Sequence, residues 1–176
     1  MNRRKFLRIG AGATATLIGR AGLAKPNTPL ERSLGFYNTH TDEKLKTVYW
    51  ADGKYQPEGL HEINRILRDF RTGDVYSMDE KLLDLLYVLQ SKTGRKSRFH
   101  IISGYRSPAT NAMLSTRSAG VAKRSYHMQG KAIDIRLPGY DLNHLHEAAL
   151  ALKAGGVGYY PSSNFIHVDV GPVRRW

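Results

Sequence analysis

Ser125-Tyr126-His127-Met128-Gln129-Gly130-Lys131-Ala132-Ile133-Asp134-Ile135-Arg136-Leu137 is a polar turn that runs into a short alternating strand. Ile133, Ile135 and Leu137 fall at every second position, which predicts one strand face against a core. Ala132, Asp134 and Arg136 then face the other way. Gly130 lets the preceding loop turn tightly or lets its backbone approach a ligand. His127, in that loop, can reach back over the strand. Phe165-Ile166-His167-Val168-Asp169-Val170 repeats the construction. Its Ile166, Val168 and Val170 face the core, and Phe165, His167 and Asp169 share the opposite face. Where the two strands lie near one another, Asp134 and His167 point into one cleft. Two imidazoles and a carboxylate are what an open catalytic zinc site needs: three protein ligands and a fourth position for water. Taken singly, each reads as an ordinary loop or strand residue; the combination carries the chemistry.

Outward from these strands the chain alternates helices with short strands. Residues 34–38 and 45–51 read as strands around a turn at Thr41-Asp42-Glu43. Pro57 suits the first turn of a helix, and Leu60, Ile63, Ile66, Leu67 and Phe70 give residues 58–71 an amphipathic period. Ser77 or Asp79 can cap a second helix, whose Leu82, Leu83, Leu85, Leu86 and Leu89 are apolar. Residues 99–103 form a strand leading into Gly104-Tyr105-Arg106-Ser107-Pro108. A short helix follows over 109–117, a loop over 120–126 and a further helix over 142–154, ended by Gly155-Gly156. Residues 157–160 and 165–170 make a strand pair joined by Pro161-Ser162-Ser163-Asn164. The expected class is α+β, with a mainly antiparallel sheet and flanking helices.

The 176 residues suffice for one domain. Residues 1–24 read as a separate leader: a basic start containing Arg3-Arg4-Lys5-Phe6-Leu7, a weakly apolar run over 9–18, and small residues at Gly22-Leu23-Ala24. This is the pattern of a twin-arginine export signal. Its apolar run is shorter than the roughly 20 residues a bilayer span needs, so no stable membrane span is expected. Residues 25–31, with Pro26 and Pro29, form a linker, and 32–176 are the domain. The expected location is the periplasm. There is no cysteine, so any metal site must use His, Asp or Glu. The formal charge of +12 lies partly in the leader, but the remainder is basic too. Nucleic acid is the usual partner of such a charge; the export signal and the lack of a recognition motif argue against it. An anionic polymer suits an exported basic domain.

The pattern Ser125-x-His127-x2-Gly130-x-Ala132-x-Asp134, with Ser103-Gly104-Tyr105-Arg106-Ser107 upstream and Phe165-Ile166-His167-Val168-Asp169 downstream, resembles the D-alanyl-D-alanine zinc metallopeptidases. That superfamily includes VanX-type dipeptidases and shares its fold with the hedgehog signalling domain. The resemblance is strongest to its exported murein endopeptidase K branch. It covers nearly all of the chain beyond the leader, from Asn38-Thr39-His40-Thr41 through Ala154-Gly155-Gly156-Val157-Gly158-Tyr159-Tyr160-Pro161 to Trp176. It implies that His127, Asp134 and His167 bind Zn2+, and that the substrate is the peptide cross-link of peptidoglycan. It also implies an arginine at the cleft, Arg106, able to steady a developing oxyanion or hold a substrate carboxylate. Asp169, two residues past His167, is a candidate general base or a partner that orients the metal-bound histidine. The chain departs from VanX-type members at Asn164, where they carry a catalytic Glu.

The resulting expectation is a zinc-dependent murein endopeptidase acting on D,D cross-links, on L,D cross-links between two diaminopimelate residues, or on both. The alternatives are a zinc-stabilised peptidoglycan-binding or regulatory module without turnover, and a carboxypeptidase that trims free stem peptides.

Overall fold

The computed structural model describes residues 31–94, 97–117 and 120–176. The expected leader and most of the expected linker lie outside these residues. Eight strands form one sheet. They are β1 (Glu31–Asn38), β2 (Lys44–Ala51), β3 (Lys54–Tyr55), β4 (Phe99–Ser103), β5 (Ala132–Arg136), β6 (Gly156–Tyr160), β7 (Phe165–Asp169) and β8 (Arg174–Arg175). Their spatial order is β3-β2-β1-β4-β5-β7-β6-β8. Four helices accompany them: α1 (Pro57–Ile66), α2 (Glu80–Thr93), α3 (Pro108–Arg117) and α4 (Leu142–Leu152). No helix among the described residues is long and apolar enough to cross a membrane.

The α+β class holds, but the expectation of a mainly antiparallel sheet holds only in part. The sheet is mixed, because β1 pairs with β4 and β6 with β8 in parallel. The first parallel pair follows from the connection between its strands. The chain leaves β1 through a hairpin, then crosses through α1 and α2 before β4, and such a crossover returns it running the same way. The second arises because the chain passes from β7 around residues 170–173 and lays β8 along the free edge of β6.

Helix α2 buries the face its pattern predicts. In α2, Leu82, Leu83, Leu85, Leu86 and Leu89 are buried against β1 and α4. Asp79 accepts from Lys81 N at its start, and Gly94 ends it with a left-handed φ of 63°. Helix α1 stops at Ile66, five residues short of its apolar pattern. The backbone there is taken by two neighbours: Leu67 O accepts from Tyr105 N, in the loop after β4, at 2.7 Å, and Asn38 Nδ2, at the end of β1, donates to Ile66 O at 3.0 Å. Leu67 remains in the core although it has left the helix. Beyond it, Asp69 is fully buried and accepts from Ser107 N at 2.9 Å and from Arg71 N at 3.0 Å. The lost helical turn thus anchors the loop that carries Arg106.

The core fills the helical side of the sheet, with Phe36, Phe99, Ile133, Ile135, Ile166 and Val168 from its strands. Strand β5 sits mid-sheet, and Ala132, Ile133, Asp134 and Ile135 are all buried. Its second face is covered by a different layer, made of loops.

Candidate metal centre

Antiparallel pairing of β5 and β7 sets Asp134 directly opposite His167. Side chains of such partners leave the sheet together on one face. The register also sets Ile133 against Val168 and Ile135 against Ile166, so the apolar residues go to the core as a group. On the other side of β5, Ser103 pairs with Asp134 across an irregularity in β4. His127 comes from a single 3-10 turn, Tyr126–Gln129, capped by the Ser125 side chain, which accepts from His127 N. Gly130 ends that turn with φ 65°, and a Cβ there would sit 2.2 Å from Ser77 O. Only glycine lets this loop lie so tightly on the approach to α2.

The three expected ligands meet. His127 Nε2 lies 3.2 Å from Asp134 Oδ1 and 3.2 Å from His167 Nδ1, and the latter lies 2.9 Å from Asp134 Oδ1. The outer nitrogens fix the tautomers. His127 Nδ1 donates to Gly104 O at 2.7 Å, because a carbonyl can only accept. His167 Nε2 donates to Asp169 Oδ2 at 2.9 Å. Two imidazole nitrogens and a carboxylate oxygen therefore converge on one buried point, an arrangement that a shared proton or a metal ion can satisfy. Among the described residues, this trio alone groups three metal-ligating side chains closely enough to share an ion.

Electrostatics agree with a cation site. Burial pushes the His127 imidazole below its ordinary pKa, which favours the neutral, ligating form. Burial works against ionised Asp134, but its contacts with His127 and His167 outweigh that and hold the carboxyl well below the usual carboxylate range. Burial also opposes a charged His167; hydrogen bonds to Asp134 and Asp169 prevail and raise it. A proton and a metal ion thus compete for the same place.

Arg106 joins the trio. Its Nη2 donates to Ser103 Oγ at 3.2 Å and to Asp134 Oδ2 at 3.3 Å, while its Nε is buried with no hydrogen-bond partner among the described residues. Asp169 lies behind His167, away from the converging nitrogens. It is wholly buried and accepts from Gly156 N, Gly171 N, both terminal nitrogens of Arg174 and His167. Asn164 is exposed in the turn between β6 and β7, with a left-handed φ of 52°, and does not line the cleft.

A cleft of about 670 Å³ opens over the trio. Arg106, Arg124, Arg174, Tyr126, Tyr160 and Trp176 are among its walls. Asp134 is the single acidic side chain among the described lining residues. The contribution of Arg174 and Trp176 was invisible to strand patterns, because β8 spans only two residues and both are exposed. The run of glycines at 155, 156 and 158 was the available signal, since each leaves room for something packed against the strand.

Comparison with known proteins agrees with this construction. The family model described as peptidoglycan L,D-endopeptidase MepK matches residues 26–176. The peptidoglycan L,D-endopeptidase MepK of Escherichia coli (strain K12) is 44% identical over 176 residues, covering 99% of this chain and 97% of the relative. The probable peptidoglycan L,D-endopeptidase MepK of Haemophilus influenzae is 44% identical over 177 residues, covering 99% and 95%. No solved structure matches the chain. The matched span contains every residue of the trio and its supports, and the chain belongs to the peptidoglycan L,D-endopeptidase MepK family of peptidases.

Proposed function

We propose that this chain is a zinc-dependent endopeptidase that cuts L,D peptide cross-links between diaminopimelate residues of peptidoglycan. The observation that carries the reading is the convergence of His127 Nε2, His167 Nδ1 and Asp134 Oδ1 within 2.9–3.2 Å. The outward nitrogen of each histidine is already tied to an acceptor, as metal-binding histidines require. Nitrogen and carboxylate donors without thiolate suit Zn2+ in a hydrolytic site. The choice of the L,D bond rests on the names of the relatives. The same proposal includes the hedgehog-like peptidase fold, export of residues 1–24 as a leader and action in the periplasm.

A zinc ion held by the trio supplies a polarised carbonyl and a water activated near neutral pH. The protein's own groups supply the rest. Arg106 holds Asp134 Oδ2 in place, which leaves Oδ1 for the metal. Its guanidinium also lines the cleft, suited to an oxyanion that develops only in the transition state. Asp169 orients His167; with every donor around it on the far side of that ring, proton transfer to substrate is not assigned to it. Arg124 lines the cleft, is exposed, and has no hydrogen bond or ion pair among the described residues. It is available to a substrate carboxylate, and diaminopimelate stems carry one beside the cross-link.

The test is conversion of purified muropeptide dimers to monomers, followed by chromatography and mass. The zinc-loaded protein converts dimers joined between two diaminopimelates, and a chelator stops it. Conversion of D,D-linked dimers alone would overturn the bond assignment. Zinc binding without turnover of any dimer would favour the binding module.

A further inference from the structure

Residues 172–176 return along the wall of the cleft, beside His167 and Asp169. Arg174 donates through Nη1 and Nη2 to the two oxygens of Asp169 at 3.1 and 2.6 Å. Its guanidinium lies 5.3 Å from the Tyr126 ring and 5.0 Å from that of Trp176. The Trp176 indole donates to Tyr160 Oη at 2.7 Å, and its ring centre is 5.2 Å from that of His167. The backbone is pinned as well: Tyr159 N donates to Trp176 O at 3.0 Å, and Trp176 N to Val157 O at 3.3 Å. Strand β6 is cut away to admit this tail. A Cβ on Gly156 would fall 2.5 Å from Arg174 Nη1, and one on Gly158 would fall 2.7 Å from the Trp176 indole.

Asp169 has no oxygen facing the cleft, and its partners include the one nitrogen of His167 that points away from the trio. The two backbone donors fix where Asp169 Oδ1 lies. Oδ2, which receives the histidine, is otherwise held by Arg174 and by no backbone donor among the described residues. Rotation of the carboxylate would turn the His167 ring and carry Nδ1 off its line.

We propose that Arg174 is a positioning residue of the metal centre: it clamps both oxygens of Asp169 and thereby fixes the direction in which His167 Nδ1 meets the metal. The proposal rests on the reading of the trio as a metal site. Carboxylates that orient a metal-bound histidine change metal affinity by about 10–100-fold when removed. Arg174 stands one contact further out, so the low end of that range, about tenfold, is expected. Lysine cannot reproduce the two-pronged grip on a carboxylate. Arg174→Lys is therefore expected to be impaired despite keeping the charge.

The full chain is titrated with zinc against a chromophoric chelator, and the visible spectrum of the cobalt-substituted protein is recorded. Arg174→Lys and Arg174→Ala are expected to weaken zinc about tenfold or more and to shift the cobalt bands. Arg32→Lys, at a similar ion pair far from the cluster, changes neither. Wild-type zinc affinity and cobalt bands in both Arg174 variants would overturn the proposal; if Arg174→Ala does not fold, Arg174→Lys decides alone. A wild-type chain that binds no zinc would instead overturn the metal reading, and the clamp with it.

Discussion

Each flank of the sheet holds one carboxylate under an arginine and a tryptophan. Toward the β2–β3 edge, Asp84 of α2 accepts from Arg32 at 2.8 Å, Tyr49 at 2.9 Å and Tyr55 at 2.8 Å, and Arg32 lies 4.4 Å over Trp50. Toward the β6–β8 edge, Asp169 accepts from Arg174, and Arg174 lies against Trp176. The devices differ in one donor. The hydroxyls on Asp84 end there, whereas the imidazole on Asp169 has a second nitrogen that faces the cleft. One flank therefore uses the pairing to pin α2 to the first hairpin. The other passes the same rigidity on to a reactive centre.

The sharpest way to break this contrast is to remove the groups that face the cleft. His127→Ala, Asp134→Ala and His167→Ala are each expected to abolish stoichiometric zinc and all measurable cleavage of muropeptide dimers; full zinc occupancy, by metal analysis, would strike that residue from the ligand set. Next in size is the exchange of the two flanking carboxylates. Asp169→Asn should weaken zinc by about 10–100-fold. Asp84→Asn should leave zinc affinity alone and cost about 1–3 kcal/mol of folding stability, read by denaturant unfolding. A change in zinc affinity in Asp84→Asn would show that the flanks are not separate.

A smaller effect is expected at an arginine that grips no carboxylate of its own. Arg124→Ala should raise KM for dimers about tenfold, since a charged hydrogen bond is worth roughly 1.5–3 kcal/mol, and leave kcat and zinc affinity near wild type. An unchanged KM would remove Arg124 from substrate binding. The smallest concerns Asp69, buried without an arginine partner. Burial opposes its charge, but hydrogen bonds from Thr110, Ser107 and Arg71 outweigh this and lower its pKa. Its stabilising contribution is then complete above the unfolded value of about 3.9 and lost as pH falls through the folded one. Asp69→Asn is expected to be less stable than wild type at neutral pH, with the gap closing below about pH 4. Unfolding curves at several pH values that keep a constant gap would contradict this.

What the sequence made legible was whatever repeats along a strand. Alternation in residues 131–137 and 165–170 put Asp134 and His167 on one face, and the pairing of β5 with β7 made them neighbours. Alternation also put Asp169 on that face, but it could not give the rotation of the imidazole, which decides that Asp169 meets Nε2 and not the cleft. The early end of α1 was hidden for a related reason. Leu67 keeps the apolar period because it stays in the core, while its carbonyl has been given to Tyr105. The two-residue strand β8 has no period to read. Its function depends on contacts with Gly156 and Gly158, which are remote in the pattern and adjacent in space.

The direct pairing of Asp134 with His167 also bears on fidelity of assembly. Sliding β7 by one residue against β5 would reverse the faces of its side chains. Val168 would then enter the cleft and His167 would be driven into the apolar layer. No metal could be captured in that arrangement. An ion that binds only the correct pairing lowers the free energy of that pairing alone. Metal capture would therefore favour the correct register in the middle of the sheet over its one-residue neighbours.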